Sequence, residues 1–127
     1  MKRLSALSLL CLALGAQAYT GKELLEDCQA AEALYQEKKS ENLYQSVQVV
    51  RCMSYVAGFA DGYAVGDYLG GQVGVQLNAF CLPKADDLQY RMVRAVVSHL
   101  ERQPPNSQAS SRMLVAGALS KAFPCAQ

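Results

Sequence analysis

The stretch Cys52-Met53-Ser54-Tyr55-Val56-Ala57-Gly58-Phe59-Ala60-Asp61-Gly62-Tyr63-Ala64-Val65-Gly66 carries a single charge, that of Asp61. Cys52, Tyr55, Val56, Phe59 and Tyr63 recur at steps of three and four, which lines them along one side of a helix. Gly58, Gly62 and Gly66 follow one another every fourth residue beside that stripe. Glycine weakens a helix by ~1 kcal/mol relative to alanine, so three of them call for a compensating reason. A ridge without side chains lets neighbouring helices approach closely. The reading is therefore a helix covered on most sides, at the centre of a small bundle, with Asp61 roughly opposite Cys52.

Outward from this stretch the chain reads as helices throughout. Thr20-Gly21-Lys22-Glu23 has the form of a capping box, so a first helix is predicted to start at Thr20 and fade near Lys38-Lys39. Leu24, Leu25, Cys28, Ala31 and Tyr35 form its apolar face, with Glu23, Asp27, Gln29 and Glu37 largely off it. Ser40 to Asn42 is a polar turn, and the second helix is predicted from about Leu43 to Tyr68. Gly70, Gly71 and Gly74 then interrupt the pattern, and Leu69 to Leu82 reads as an ordered loop or short extended piece, a connector pinned by Cys81 and Pro83. Asp86, with Gln89 three residues on, is the predicted N-cap of a third helix reaching about Arg102. Leu88, Met92, Val96 and Leu100 form its apolar band, and His99 falls near it as a core-edge histidine. Pro104-Pro105-Asn106-Ser107 stops that helix and caps a fourth, which ends at Phe123-Pro124 with Leu114, Val115, Ala118, Leu119 and Ala122 inward.

The chain opens with the marks of a secretory precursor. Lys2 and Arg3 precede an apolar run from Leu4 to Leu14, and Ala16-Gln17-Ala18 is a small-x-small cleavage site. Leu10 stands before Cys11 where lipidation would need a small residue. The expected division is a signal peptide over 1–18 and one helical domain over 19–127, placed in the periplasm. The full chain carries a net charge of +1. Without Lys2 and Arg3 the balance turns slightly negative, with neither a basic patch nor an acidic tail. Nucleic acid is accordingly not an expected partner.

Four cysteines follow the leader: Cys28, Cys52, Cys81 and Cys125. An even number in a small exported domain reads as disulfides, with three possible pairings. Their spacing lacks the close pairs of zinc ribbons and thioredoxin-like sites, and the chain has one histidine. Cys28 and Cys52 lie equally far from position 40, so an antiparallel hairpin turning there sets them at one height. Cys81 and Cys125 lie almost equally far from Pro104, and the same reasoning pairs them. The predicted fold is all-α: a small four-helix bundle of two helical hairpins, each stapled by a disulfide.

No nucleophile–base set is visible. The thiols are committed to bridges, His99 stands alone, and the acids other than Asp61 have ordinary uses at helix ends. Asp61 is the one acid in an apolar setting, but it has no partner for acid–base work. Tyr55 and Tyr63 read as core. The expectation is a non-enzyme without cofactor or metal.

Taken in order, several short motifs resemble the Rap/Tai-type immunity domain associated with type VI secretion. They are Gly21-x-x-Leu24-Leu25-x-x-Cys28, Cys52-x-x-Tyr55-Val56-x-Gly58-x-x-Asp61 and Phe80-Cys81-Leu82-Pro83. The helix from Val93 to Leu100 with Pro104 follows, and Ala118-Leu119-x-x-Ala122-Phe123-Pro124-Cys125 closes the series. Ser54 stands where members often have glycine, and His99 where tyrosine is common. The resemblance implies a periplasmic, disulfide-bonded helical protein, often a homodimer, that binds an injected peptidoglycan amidase and occludes its active site. The alternative is a periplasmic stress protein similar to the HdeA-type acid chaperones, with no toxin partner.

Overall fold

The structure, a computed structural model, describes residues 18–36, 42–104 and 109–126. The leader other than Ala18, most of the predicted first turn and the Ser107 cap lie outside the described residues. Four helices follow one another: α1 (Gly21–Tyr35), α2 (Leu43–Gly71), α3 (Leu88–Glu101) and α4 (Ser111–Ala122). No strand occurs among the described residues.

The caps explain where the helices begin. Thr20 Oγ1 accepts from the Glu23 amide at 3.2 Å, and Glu23 Oε2 accepts from the Thr20 amide at 2.9 Å, so the capping box is complete. The two bonds satisfy donors that a bare helix start leaves open. The bond from the Thr20 amide, and after it one from the Thr20 hydroxyl, hold the Glu23 carboxyl below its ordinary value. Asn42 does the same for α2, its Oδ1 accepting from the Gln45 amide at 3.0 Å. At α3 the cap residue is Asp87 rather than Asp86, and its side chain makes no capping bond. Gln89 instead donates to the Met53 carbonyl at 3.1 Å, joining α3 to α2.

Both disulfides are those the spacing predicts, Cys28–Cys52 and Cys81–Cys125. The first joins two buried helical positions of the α1–α2 hairpin. The second differs from a staple between helices: Cys81 precedes α3 and Cys125 follows α4. It clasps the entry and exit of the second hairpin, helped by the Cys81 amide donating to the Phe123 carbonyl at 2.8 Å.

The core runs from Leu24, Cys28 and Ala31 of α1 through Val93, Val96 and Val97 of α3 to Val115 and Leu119 of α4. It places α1 and α3 at the centre, and this corrects the expectation for the glycine-rich helix. Only four of the 29 residues of α2 are buried: Val49, Cys52, Val56 and Ala60. In α3 six of 14 are buried, His99 among them. The second helix is thus an outer rod laid along α1, and it runs three residues past Tyr68 to Gly71. Ala122, expected inward, is exposed.

Candidate binding surface

The side of α2 that faces away from α1 is apolar. Leu43, Tyr44, Val47 and Val50 lie at its start, and Val65, Tyr68 and Leu69 near its end. Their exposure runs from 46 % for Val47 to 81 % for Leu43. With 3.6 residues per turn, these seven share one face with Arg51, Ser54, Gly58, Asp61 and Gly62, opposite the buried Val49, Cys52, Val56 and Ala60. Isolated exposed apolar residues need no explanation, but here they gather in two groups at the ends of one face, parted by Arg51, Ser54, Gly58, Asp61 and Gly62.

Gly58 and Gly62 lie in the middle of this outer face. A Cβ added at either would meet nothing within 4 Å, so no helix among the described residues packs on them. Asp61 is exposed beside them and has no ion-pair partner among the described residues. The apolar setting expected for it is absent. Tyr55 is half-buried, its hydroxyl pushed up by burial, with its ring edge-on to Tyr19 at 4.9 Å between centroids. Pro83 is half-buried in the connector before α3.

Beyond α2 the chain forms the ordered loop that the glycines predict. Residues 71–79 are all exposed, yet the loop is braced from below. The Val75 amide donates to the Gly70 carbonyl at 2.9 Å, and the Leu77 amide to Asp67 Oδ1 at 2.9 Å. The Ala79 amide donates to the Tyr63 hydroxyl at 2.8 Å. Phe80 is buried beneath, stacked on Tyr63 at 4.0 Å between centroids. Gly70 is obligatory here, because a Cβ would meet the Val75 carbonyl oxygen at 2.8 Å. Gly74 and Asn78 take left-handed backbone conformations, residue types that tolerate them. Val73, Val75 and Leu77 are left facing outward on a fixed frame.

One buried polar cluster was not legible as such in the sequence reading. Asp27 is 2 % exposed. Its Oδ2 accepts from the Tyr19 hydroxyl at 2.6 Å and pairs with Arg51 Nε at 3.2 Å. The Arg51 guanidinium also lies 4.9 Å from the Tyr19 ring centre. Burial first, then the hydrogen bond to Asp27 and its charge, push the Tyr19 hydroxyl far above its ordinary value. The Tyr19 carbonyl in turn accepts from Ser111 Oγ at the start of α4. The signal for Asp27 was its place three residues after Leu24 and four before Ala31, within the apolar stripe of α1. The cluster ties the N-terminal segment to α1, α2 and α4, and Glu23, Ser54 and Tyr55 border an open depression beside it.

His99 sits in the core edge, 7 % exposed. Gln103 Nε2 donates to the His99 carbonyl at 3.3 Å and lies 3.2 Å from ring Nε2, which suits a neutral ring. Nδ1 is buried without a partner among the described residues. Burial, then the charges of Lys121 and Arg102, hold the imidazole below its ordinary value. Among the described residues, no three His, Cys, Asp or Glu side chains are grouped to hold a metal ion. No helix among them is long and apolar enough to cross a membrane.

Two stretches therefore present exposed apolar side chains, the outer face of α2 and the braced loop that follows it. No curated protein and no solved structure matches the chain. The family model of the Rap1a immunity proteins matches residues 20–125, from the Thr20 cap to the last disulfide cysteine, and the chain belongs to that family.

Proposed function

We propose that this protein is a periplasmic immunity protein, working as a homodimer, that neutralises a peptidoglycan amidase delivered by type VI secretion. It acts by covering the amidase active-site cleft and has no catalysis of its own. Family membership supports a toxin partner, and the observation that carries the mode of action is the loop over residues 72–79. An inhibitor that fills a cleft gains affinity when its inserting segment is held in the bound shape beforehand, since less ordering entropy is lost on binding. Hydrogen bonds from the loop amides to Gly70, Asp67 and Tyr63, with the Cys81–Cys125 clasp behind, supply that rigidity. Val73, Val75 and Leu77 supply an apolar tip.

The chaperone-like alternative draws on the same exposed apolar side chains. Bridges between residues 24 and 44 positions apart limit how far this chain can open on acidification. The test is digestion of purified peptidoglycan by a type VI secreted amidase from the same organism, with increasing amounts of the protein added. Stoichiometric protection is expected. Val75→Glu should raise the concentration needed by at least tenfold at unchanged melting temperature. Undiminished digestion in the presence of excess wild-type protein would refute the proposal.

A further inference from the structure

Ala95, Ser98, His99 and Arg102 follow one another at steps of three and four, so they share one stripe of α3. The stripe of α4 beside it carries Ala118, Lys121 and Ala122. With three alanines between them, the two helices leave a groove whose cavity measures about 150 Å³. Pockets for drug-sized molecules begin at roughly 300 Å³, so this one suits a small ion. Arg102 and Lys121 are exposed at its rim, and the buried His99 forms part of its wall.

The imidazole supplies a second, independent observation. A side-chain amide nitrogen has only hydrogens to give, so ring Nε2, 3.2 Å from Gln103 Nε2, is the acceptor of that pair. The neutral ring then keeps its own proton on Nδ1. Nδ1 is buried and has no hydrogen-bond partner among the described residues. A donor left open in the interior is destabilising, and what this one lacks is an oxygen. Gly117 makes room for the ring between the helices, since a Cβ there would meet Nε2 at 3.1 Å and Cε1 at 3.4 Å.

The charges that act on the ring are both positive. After burial, Lys121 on α4 and Arg102 on α3 each lower its affinity for a second proton. No carboxylate lines the groove, and neither cation has an ion-pair partner among the described residues. Glu101 is engaged elsewhere, its Oε1 accepting from Gln29 Nε2 of α1 at 3.2 Å. A cation near the end of a helix complements the helix dipole. That accounts for the position of each cation, but not for an open donor held beside the pair of them.

We infer that the groove between α3 and α4 binds a free tetrahedral oxyanion of the size of sulfate or phosphate, held by His99 Nδ1, the Arg102 guanidinium and the Lys121 ammonium. Ser98 adds a fourth donor. Its Oγ accepts from Arg102 Nη1 at 2.7 Å, which steadies the guanidinium and leaves the hydroxyl hydrogen to give. An imidazolium attracts the ion more strongly than a neutral ring does. By reciprocity the bound ion raises the affinity of His99 for its second proton. The site uses neither α2 nor the loop after it, so it stands or falls apart from the immunity reading.

His99 is the only histidine of the chain, so its ring signals in a proton NMR spectrum identify themselves. The folded, untagged protein is titrated from about pH 4.5 to 8.5 in sodium chloride and in sodium sulfate of equal ionic strength. Sulfate is the probe because its charge stays constant over that range. Melting temperature is a poor readout here, since sulfate stabilises folded proteins in general. The midpoint in chloride should lie below 6.5, and about 20 mM sulfate should raise it by about 0.5 unit or more, with saturation at higher concentration. The Arg102→Gln, Lys121→Gln double variant replaces two exposed side chains. It should keep the circular dichroism spectrum and lose the sulfate-dependent rise, whereas Lys84→Gln, in the connector before α3, should keep the rise. Equal wild-type midpoints in the two salts would overturn the inference, and so would a rise that survives in the double variant.

Discussion

The two sides of α2 are equally apolar in kind and opposite in fate. Inward, Val49, Cys52, Val56 and Ala60 are no more than 5 % exposed. Outward, Leu43, Val47 and Val50 lie open near one end of the helix and Val65, Tyr68 and Leu69 near the other. Hydrophobic residues do not become core by being hydrophobic. They become core where another element of the chain reaches them, and α1 reaches only one side of this rod. The inner side serves the fold, and the outer side is met by no helix among the described residues.

Attacking the inner side should produce the largest loss. Replacing Cys28 and Cys52 together by alanine removes both a buried contact and a chain cross-link. Urea denaturation is expected to show a loss of about 3 kcal/mol. Removing Cys81 and Cys125 closes no buried contact of that kind but frees a longer loop, 44 against 24 residues. On loop length alone that adds about 0.5 kcal/mol to the loss.

The next test sits at the edge of the inner side. Asp27→Ala leaves the Tyr19 hydroxyl and Arg51 without their shared acceptor, and should cost about 2 kcal/mol in the same measurement. The cost stays moderate because Arg51 is partly solvated. Tyr19→Phe removes only one hydrogen bond and should cost about 1 kcal/mol.

On the outer side the sign reverses. Gly62→Ala meets no neighbouring atom within the chain, so the gain in helix propensity is not offset. Thermal denaturation should show a stabilisation of about 0.5–1 kcal/mol. A destabilisation of that size would mean that the glycine ridge is packed within the chain after all.

The smallest effect belongs to pH. The His99 imidazole is held below its ordinary value of 6.5, first by burial and then by Lys121 and Arg102. A group depressed in the folded state contributes stability above its unfolded value, and that contribution is lost as pH falls through the lower folded value. Protonation would also break the bond that Gln103 makes to Nε2. The difference in denaturation midpoint between wild type and His99→Gln should therefore be constant above about pH 6.5 and shift in favour of the variant below it.

The sequence carried most of the fold because its signals were local or symmetric. The capping box at Thr20 and Glu23 depends on four residues, and it is present atom for atom. The disulfide pairing depended on equal spacing about two turns, which a hairpin preserves wherever its helices start. The glycines misled for an instructive reason. Spacing reveals that a surface is bare, not which body lies against it, and Gly58 and Gly62 face away from every helix among the described residues. Asp27 was assigned to solvent by its charge although its position put it in the apolar stripe, because its two partners come from residue 19 and from the next helix. The brace under residues 72–79 was illegible for the same cause: Tyr63 and Asp67 act on amides ten to sixteen residues away.

Ser111 reaches back 92 positions to the Tyr19 carbonyl. A chain made from its amino end presents Tyr19 long before that hydroxyl. The Tyr19 ring and hydroxyl are held by Asp27, Arg51 and Tyr55, and its carbonyl gains a partner only once α4 is in place.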